Sequence, residues 1–514
     1  MILIIAGSGL STLYRNENAI FGYFCNMTNR LHRLSSRFVM ALTAISLHAS
    51  AQDAYEIQAR IKPFVKGYLY LAHHFGKKQY LVDSALIGSD GLAVFKGKDR
   101  LLGGVYMIAF PEKNGWIECL MDRQQRFRVE ADTANILGTI RYTGSPDNDV
   151  FADYQRESFR LGTEIGVLQK RMAVESPQEA AKTQEIMQQK GAEMTAYRDR
   201  IMQEHPNNLL TAIFYVLKEP VLPPAEKHPG GRYDSLFAYR YFRDHYWDHI
   251  SMTDERLVRT PVFQIRFDRY FDEILPQHPD SLSKAAGELL DAAKPNAEMF
   301  KFLLSSLTDK YVNPQFMGMD AVFVYLFEKY YIPGMADAWM NEKYRKFIFD
   351  RGYSLISNVI GNKGADFEFL DTAGRKKRLY DISAPFTVIC FWDPSCGHCQ
   401  EEVPRLDSMF QQKWKKQGIA LFGMMTDGGK DNWLNYIRKN NLKGWVHGHQ
   451  TEEMRDALYK AGLPGFRQLY DVYQTPILYA LDKEKRIIAK KLNYHQIDDL
   501  LDYRLKAAAK PPAK

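Results

Sequence analysis

The chain has 514 residues, 46% of them apolar and 25% charged, and it carries 30 Tyr and 30 Phe. That balance excludes an intrinsically disordered chain, and the length exceeds what one hydrophobic core usually serves, so roughly two to four domains are expected. Its 68 basic and 61 acidic residues leave a net charge of +7 but are well mixed, with only a short basic run at 374–378 and an alkaline tail, which argues against a nucleic-acid surface.

Residues 1–51 read as a targeting segment. From Met27 onward, Arg30, Arg33 and Arg37 form a basic start, residues 38–47 are mostly apolar, and Ala49-Ser50-Ala51 supplies a small-x-small cleavage pattern. The mature chain is therefore expected to begin at Gln52. The stretch ahead of Met27 fits this pattern poorly, which makes Met27 the expected start. An uncleaved N-terminal anchor is the alternative and the one expected route to a membrane, because no later stretch reaches transmembrane length. Export places the chain in the periplasm or cell envelope, away from a reducing cytosol.

Residues 52–145 predict an antiparallel β domain. Short runs rich in β-branched and aromatic residues are separated by Gly and Asp, including a Ser-Asp-Gly turn at 89–91. His73 and His74 are expected to be exposed at a turn, and Cys119, inside an apolar run, to be buried. Residues 146–355 switch to helical periodicity, with charges on one face and Met, Leu and Ile on the other. A Pro-rich stretch at 218–231 interrupts them, and His245, Trp247 and Asp248 fall on an aromatic helix. No motif in this stretch points to chemistry.

Residues 356–514 alternate strand and helix and close on a strand pair and a helix, as a mixed α/β sheet does. At its centre an apolar run ends in Trp392, and Cys396 and Cys399 follow two residues apart. A helix over 400–416 is expected from Val403, Leu406, Phe410 and Trp414. Three readings are open: a redox pair, half of a metal site, or a structural staple. Of the five cysteines, Cys25 would leave with the targeting segment, and Cys119 and Cys390 lie in apolar runs. A four-thiolate zinc site lacks its second close pair, and His398 could hardly share one tetrahedral ion with both neighbours. A disulfide scaffold in a chain this long would use more cysteines.

In the redox reading, a cysteine between strand and helix sits at the helix N-terminus, where free N–H groups and the dipole favour the thiolate. Cys396 is then the nucleophile. Cys399, one turn on and deeper, resolves the mixed disulfide. His398 can donate toward the Cys396 sulfur; the alternative is a solvent-facing ring.

The segment "FWDPSCGHC", together with Thr475-Pro476 ahead of "ILYALDKEKRI", resembles the thioredoxin-like superfamily. It is most similar to thiol-disulfide oxidoreductases of the TlpA/ResA type. The resemblance covers roughly residues 360–510 and implies a thioredoxin-like fold. It further implies that Trp392 ends the strand before the pair and that Pro476 is a cis-proline packed beside the cysteines, with neighbouring backbone that pairs with a substrate chain. Glu402 matches an acidic residue that ResA-like proteins keep near their pair; it is expected to be partly buried and to move protons to and from Cys399, the alternative being a salt-bridged helix face. The sequence departs from thioredoxins in having Ser395 where they carry Trp, and Cys390 where they bury an Asp. Gly397-His398 is the dipeptide of protein disulfide isomerase, which resembles a more oxidising centre. The whole chain also resembles envelope proteins of Bacteroidetes in which a β-rich and a helical domain precede a TlpA-like one.

The sequence thus predicts a multidomain protein: a targeting segment at 1–51, an antiparallel β domain at 52–145, a helical domain at 146–355 and an α/β thioredoxin-like domain at 356–514. The expected function is thiol-disulfide exchange with protein thiols or disulfides of the cell envelope through Cys396 and Cys399, without metal or cofactor, with an upstream redox partner that the sequence does not name. An envelope partner-binding or scaffold protein with a dedicated redox domain is the alternative. A peroxidase of the peroxiredoxin type fits poorly, because Pro394-Ser395-Cys396 replaces the Thr-x-x-Cys arrangement.

Overall fold

A computed structural model describes residues 54–509. The expected targeting segment, its cleavage point and Cys25 lie outside the described residues. The chain divides into two compact units, one reaching to Ile274 and the other starting at Leu275. The division falls inside the helical stretch.

Among the described residues, eight strands come first in the first unit. β1 (Tyr55–Lys62), β4 (Ala93–Gly97), β7 (Arg126–Asp132) and β8 (Arg141–Thr143) form one sheet in the order β4-β1-β7-β8. β2 (Tyr68–Phe75), β3 (Lys78–Leu86), β5 (Gly104–Ala109) and β6 (Trp116–Met121) form the other, in the order β3-β2-β5-β6. Alternation explains why they stack. Tyr55, Ile57, Ala59 and Ile61 of β1 point inward with Phe127, Val129 and Ala131 of β7, and they share one core with Leu69, Leu71, Ile108, Ile117 and Met121 of the second sheet. The domain is not wholly antiparallel: β1 runs parallel to β7, from Glu56 opposite Arg126 to Lys62 opposite Asp132. Cys119 is fully buried in this core. His73 and His74 belong to β2 and are half-buried, not exposed at a turn. The His73 ring stacks on Tyr80, and burial pushes His74 down to about 4.

Helices Pro146–Met172 and Pro177–Glu204 follow. The first is pinned to β6 by fully buried Asn148, which accepts from the Leu120 N–H at 2.7 Å and donates to its carbonyl at 2.9 Å. The aromatic helix Ser235–Asp244 stops before His245, because His245 caps it. His245 therefore meets Asp248 at 2.6 Å beyond the helix end, while Trp247 packs edge-on against Tyr270.

The second unit starts with four helices, Pro279–Ala293, Ala297–Tyr311, Asp320–Leu326 and Glu342–Ile356. A short hairpin of β9 (Glu368–Leu370) and β10 (Lys376–Arg378) leads into a five-stranded sheet. Its strands are β11 (Phe386–Trp392), β12 (Ala420–Met425), β13 (Val446–Gly448), β14 (Ile477–Asp482) and β15 (Ile487–Lys490), ordered β13-β12-β11-β14-β15. β11 runs parallel to β12 and antiparallel to β14, so the sheet is mixed, as the sequence predicts. Val388, Cys390 and Trp392 enter the core on one face of the sheet, with Val403, Leu406 and Trp414; Ile389 and Phe391 enter the core on the other, with Phe367, Phe466 and Tyr470. A central strand covered on both faces reads as one continuous apolar run, which is what "VICFW" is. Among the described residues no helix is long and apolar enough to cross a membrane.

Candidate redox site

The site lies where β11 ends. The chain leaves Trp392, turns through 393–396 and enters the helix Gly397–Met409, whose N-cap is Cys396. The turn is built locally: Asp393 Oδ1 accepts from the Ser395 N–H at 2.7 Å and from its hydroxyl at 2.6 Å, and the Cys396 N–H donates to the Asp393 carbonyl at 3.2 Å. Such Asx turns give the backbone an alternative to regular structure just ahead of a helix. The helix starts three residues earlier than the apolar spacing suggests, because Gly397 and His398 carry no apolar signal. Val403, Leu406, Phe410 and Trp414 are all buried as predicted, the last two on a wider π-type turn. Pro404 lies inside the helix and cannot bond the Gln400 carbonyl, which accepts from the Tyr436 hydroxyl at 3.4 Å instead.

The opposite wall comes from 79 residues further on in sequence, the separation of Cys396 and Thr475. The register of β11 with β14 puts Phe391 against Ile477, so the residues just before β14 meet the loop just after β11. The Thr475–Pro476 bond is cis. The half-buried Cys396 thiol donates to the Thr475 carbonyl at 3.5 Å. The Thr475 hydroxyl holds the Cys396 thiol below its ordinary value, assisted by Cys399 and by the main-chain N–H of His398, against an opposing push from burial. Cys399 is fully buried; it accepts from the Asp393 N–H at 3.4 Å, and burial pushes its thiol up to about 12. The two sulfurs of one motif are thus set far apart in acidity by environment alone. Both are free thiols here, as are buried Cys119 and Cys390.

Other predicted residues take different places. Trp392 is fully buried and packs against Tyr436, with ring centroids 5.2 Å apart. His398 is exposed, and its main-chain N–H favours the Cys396 thiolate. Glu402 is partly buried, as expected, with 36% of its side chain exposed, and it pairs with Arg405 at 2.8 Å, the helix-face salt bridge that is the alternative to proton transfer. It does line a pocket of about 250 Å³ together with Cys390, Pro476, Lys491 and Tyr494. Cys390, at the pocket floor, is held well above an ordinary thiol by burial and by Cys399. Sequence reasoning missed Thr475 as a contributor to the nucleophile; its place directly before Pro476 was the available signal.

Gly428 is a further constraint. It has φ 92° and abuts the turn, where an added Cβ would fall 2.5 Å from Asp393 Oδ1 and 2.9 Å from Pro394. Gly428→Ala is expected to cost about 1–3 kcal/mol and to disturb the Cys396 turn. Urea unfolding of the variant together with the alkylation rate of Cys396 checks this.

A strand-turn-helix cysteine pair facing a cis-proline loop on a mixed five-stranded sheet defines a thioredoxin-like domain. Residues 360–490 match the AhpC/TSA family, and the C-terminal domain is thioredoxin-like. Residues 180–350 match a domain of unknown function (DUF5106). The thiol-disulfide oxidoreductase ResA of Bacillus thuringiensis subsp. konkukian is 24% identical over 147 residues, 29% of this chain and 77% of that protein. The crystal structure of a domain of a possible thiol-disulfide isomerase from Cytophaga hutchinsonii is 33% identical, with a TM-score of 0.26, over 30% of this chain and 97% of that one. A thioredoxin-like protein from Bacteroides caccae is 19% identical, with a TM-score of 0.42, over 56% of this chain and 98% of that one.

Proposed function

We propose that the chain is an exported thiol-disulfide oxidoreductase that exchanges disulfides with proteins of the cell envelope through Cys396 and Cys399. The observation that carries this reading is the split between the two thiols: Cys396 is half-buried at a helix N-terminus and shifted toward the thiolate, and Cys399 is buried and held protonated up to about 12. The curated relatives of the domain are thiol-disulfide oxidoreductases, which fits.

The Cys396 thiolate attacks one sulfur of a substrate disulfide. The S–S bond breaks, a mixed disulfide forms, and the other substrate sulfur leaves as a thiolate and takes a proton. Cys399 then loses its proton and attacks the Cys396 sulfur, releasing the second substrate thiol. Two electrons have passed from the pair to the substrate, and a dithiol donor must restore the pair; run backward, the same steps oxidise a substrate. Burial of Cys399 delays the second attack until a substrate is docked. Pro476 and the Thr475 backbone form the wall against which a substrate chain is read, and the adjoining pocket receives one of its side chains. Incubating the full chain with a protein disulfide and a dithiol donor tests the proposal: turnover dependent on both cysteines is expected, and none would overturn it. N-terminal sequencing of the exported fraction is expected to begin at Gln52.

Glu402 is engaged by Arg405 on the helix face, in a pair whose cation is largely in solvent. Exposed ion pairs contribute little, so Glu402→Gln is expected to change the exchange rate by less than about threefold. A displacement of the Cys399 titration by about one unit or more in that variant would instead assign it the proton transfer.

A partner-binding protein with a dedicated redox domain is the second reading. It draws on a polar pocket of about 450 Å³ in the first unit, lined by Asp122, Arg123, Asn207, His249 and Arg256 among others. Activity toward unrelated protein disulfides favours the broad enzyme; silence toward them, with tight binding of one envelope protein, favours the second.

A further inference from the structure

Helix Glu342–Ile356 belongs to the helical stretch, yet several of its polar groups are spent on the loop that faces Cys396. Arg351, with 11% of its side chain exposed, pairs with the fully buried carboxylate of Asp471. Ser354 donates to the same carboxylate at 3.1 Å and to the Gln468 carbonyl at 2.8 Å. Beyond the helix end, Asn358 donates to the Leu469 carbonyl at 3.3 Å. The second carboxylate oxygen of Asp471 pairs with Lys491, which lines the pocket beside Pro476. Asp471 and Lys491 have φ of 52° and 59°, a left-handed backbone that residues other than glycine hold only when their surroundings fix it. Burial pushes the Asp471 carboxyl up, but the hydrogen bonds and charges of Arg351 and Lys491 outweigh it and hold it below the ordinary range, so the cluster is charged. Asp471 lies four residues ahead of Thr475, the residue whose carbonyl and hydroxyl face the nucleophile.

We propose that helix Glu342–Ile356 is a positioning element of the redox site, in which Arg351 and Ser354 act through Asp471 to fix the 471–476 loop that presents Thr475 to Cys396, and Lys491 ties the same carboxylate to the pocket wall. The helical stretch thereby acquires a task in the chemistry that neither its composition nor its lack of motifs suggests. A thioredoxin-like domain cut free at residue 356 lacks Arg351 and Ser354, so its nucleophile would meet a loosened loop. The proposal rests on the redox reading of the pair, but its readout does not.

The test compares full-length wild type with Arg351→Met, Arg351→Lys and Lys491→Met. The Cys396 thiolate is titrated by ultraviolet absorbance and by its alkylation rate with iodoacetamide, alongside thermal unfolding. Arg351→Met is expected to raise the Cys396 titration by about half to one unit, which is a roughly three- to tenfold slower alkylation at pH 7. Arg351→Lys keeps a cation beside Asp471 and is expected to restore most of it. Lys491 is more exposed, so Lys491→Met breaks the network without opening a buried hole and is expected to shift the titration in the same direction by a smaller amount; it keeps the test valid if Arg351→Met does not fold. A Cys396 titration unchanged in all folded variants, with only the unfolding temperature lowered, would overturn the proposal and leave the network a structural one. If instead the wild type fails to reduce any disulfide while the variants still shift the titration, the redox reading fails and the positioning stands.

Discussion

Cys399→Ser yields a protein that reacts once and stops. The thiolate of Cys396 still attacks a substrate disulfide, but no second sulfur resolves the product, so a mixed disulfide with the partner accumulates and appears as a band on non-reducing gels that dithiothreitol removes. Turnover falls by at least about a thousandfold, as expected when an essential member of a catalytic unit is removed. Cys396→Ser loses the same turnover without any adduct. The asymmetry follows from burial: Cys399 lies fully inside the core, where burial pushes its thiol up to about 12, so it does not replace Cys396 as the attacking group at neutral pH. The pH dependence carries a sign. Adduct formation by Cys399→Ser rises with pH as Cys396 ionises and levels off once ionisation is complete, with a midpoint below that of an ordinary thiol, because the Thr475 hydroxyl and the helix N-terminus favour the thiolate. Stopped-flow measurement of the trapping rate from pH 5 to 10 checks both the direction and the single step.

The largest loss of stability is expected away from the cysteines. Lys490 on β15 and Asp320 at the start of helix Asp320–Leu326 are both nearly inaccessible and form an ion pair, with Lys490 also donating to the Asn358 carbonyl at 2.7 Å and its side-chain oxygen at 2.8 Å. Removing one partner of a buried pair leaves an uncompensated charge, so Asp320→Ala is expected to cost about 3–5 kcal/mol. Burial lowers the Lys490 ammonium below 10.5 and Asp320 opposes that shift, so the variant lowers it further. Between the folded value and the unfolded one, the unfolded chain then binds more protons than the folded chain, and stability rises with pH in that window. The deficit of Asp320→Ala is therefore expected to shrink as the pH approaches 10.5. Thermal unfolding at pH 7 and pH 10 measures it; an equal deficit at both would mean that Lys490 is not the group left unpaired.

What the sequence made legible were features with local causes. The run "VICFW" and the 3-4-4 spacing of Val403, Leu406, Phe410 and Trp414 encode a buried central strand and the inner face of the helix that follows it, and between them they place Cys396 at a helix N-terminus. The features that stayed hidden depend on partners distant in the chain. Alternation in β1 and β7 says which side chains point inward but not that the two strands run parallel. His73 and His74 look like turn residues until β2 is paired on both sides with β3 and β5. Glu402 sits at the helical offset that a proton carrier for Cys399 would use, but how far it is covered is decided by what packs on that face, and its pairing by Arg405. The network of Arg351, Asp471 and Lys491 joins Arg351 to two residues more than a hundred positions further on, and each of the three reads in sequence as an ordinary surface charge.

The mechanism requires that Cys396 and Cys399 form one two-electron redox couple. Equilibrating the full chain in glutathione or dithiothreitol buffers of graded potential, followed by acid quenching, alkylation and mass spectrometry of the peptide that carries both cysteines, tests this. Both thiols are expected to disappear together along a single two-electron curve, with a midpoint between about −270 and −120 mV, the range that spans reducing and oxidising members of this chemistry. Two cysteines that alkylate independently at every potential, with no intramolecular disulfide at the oxidising end, would contradict it.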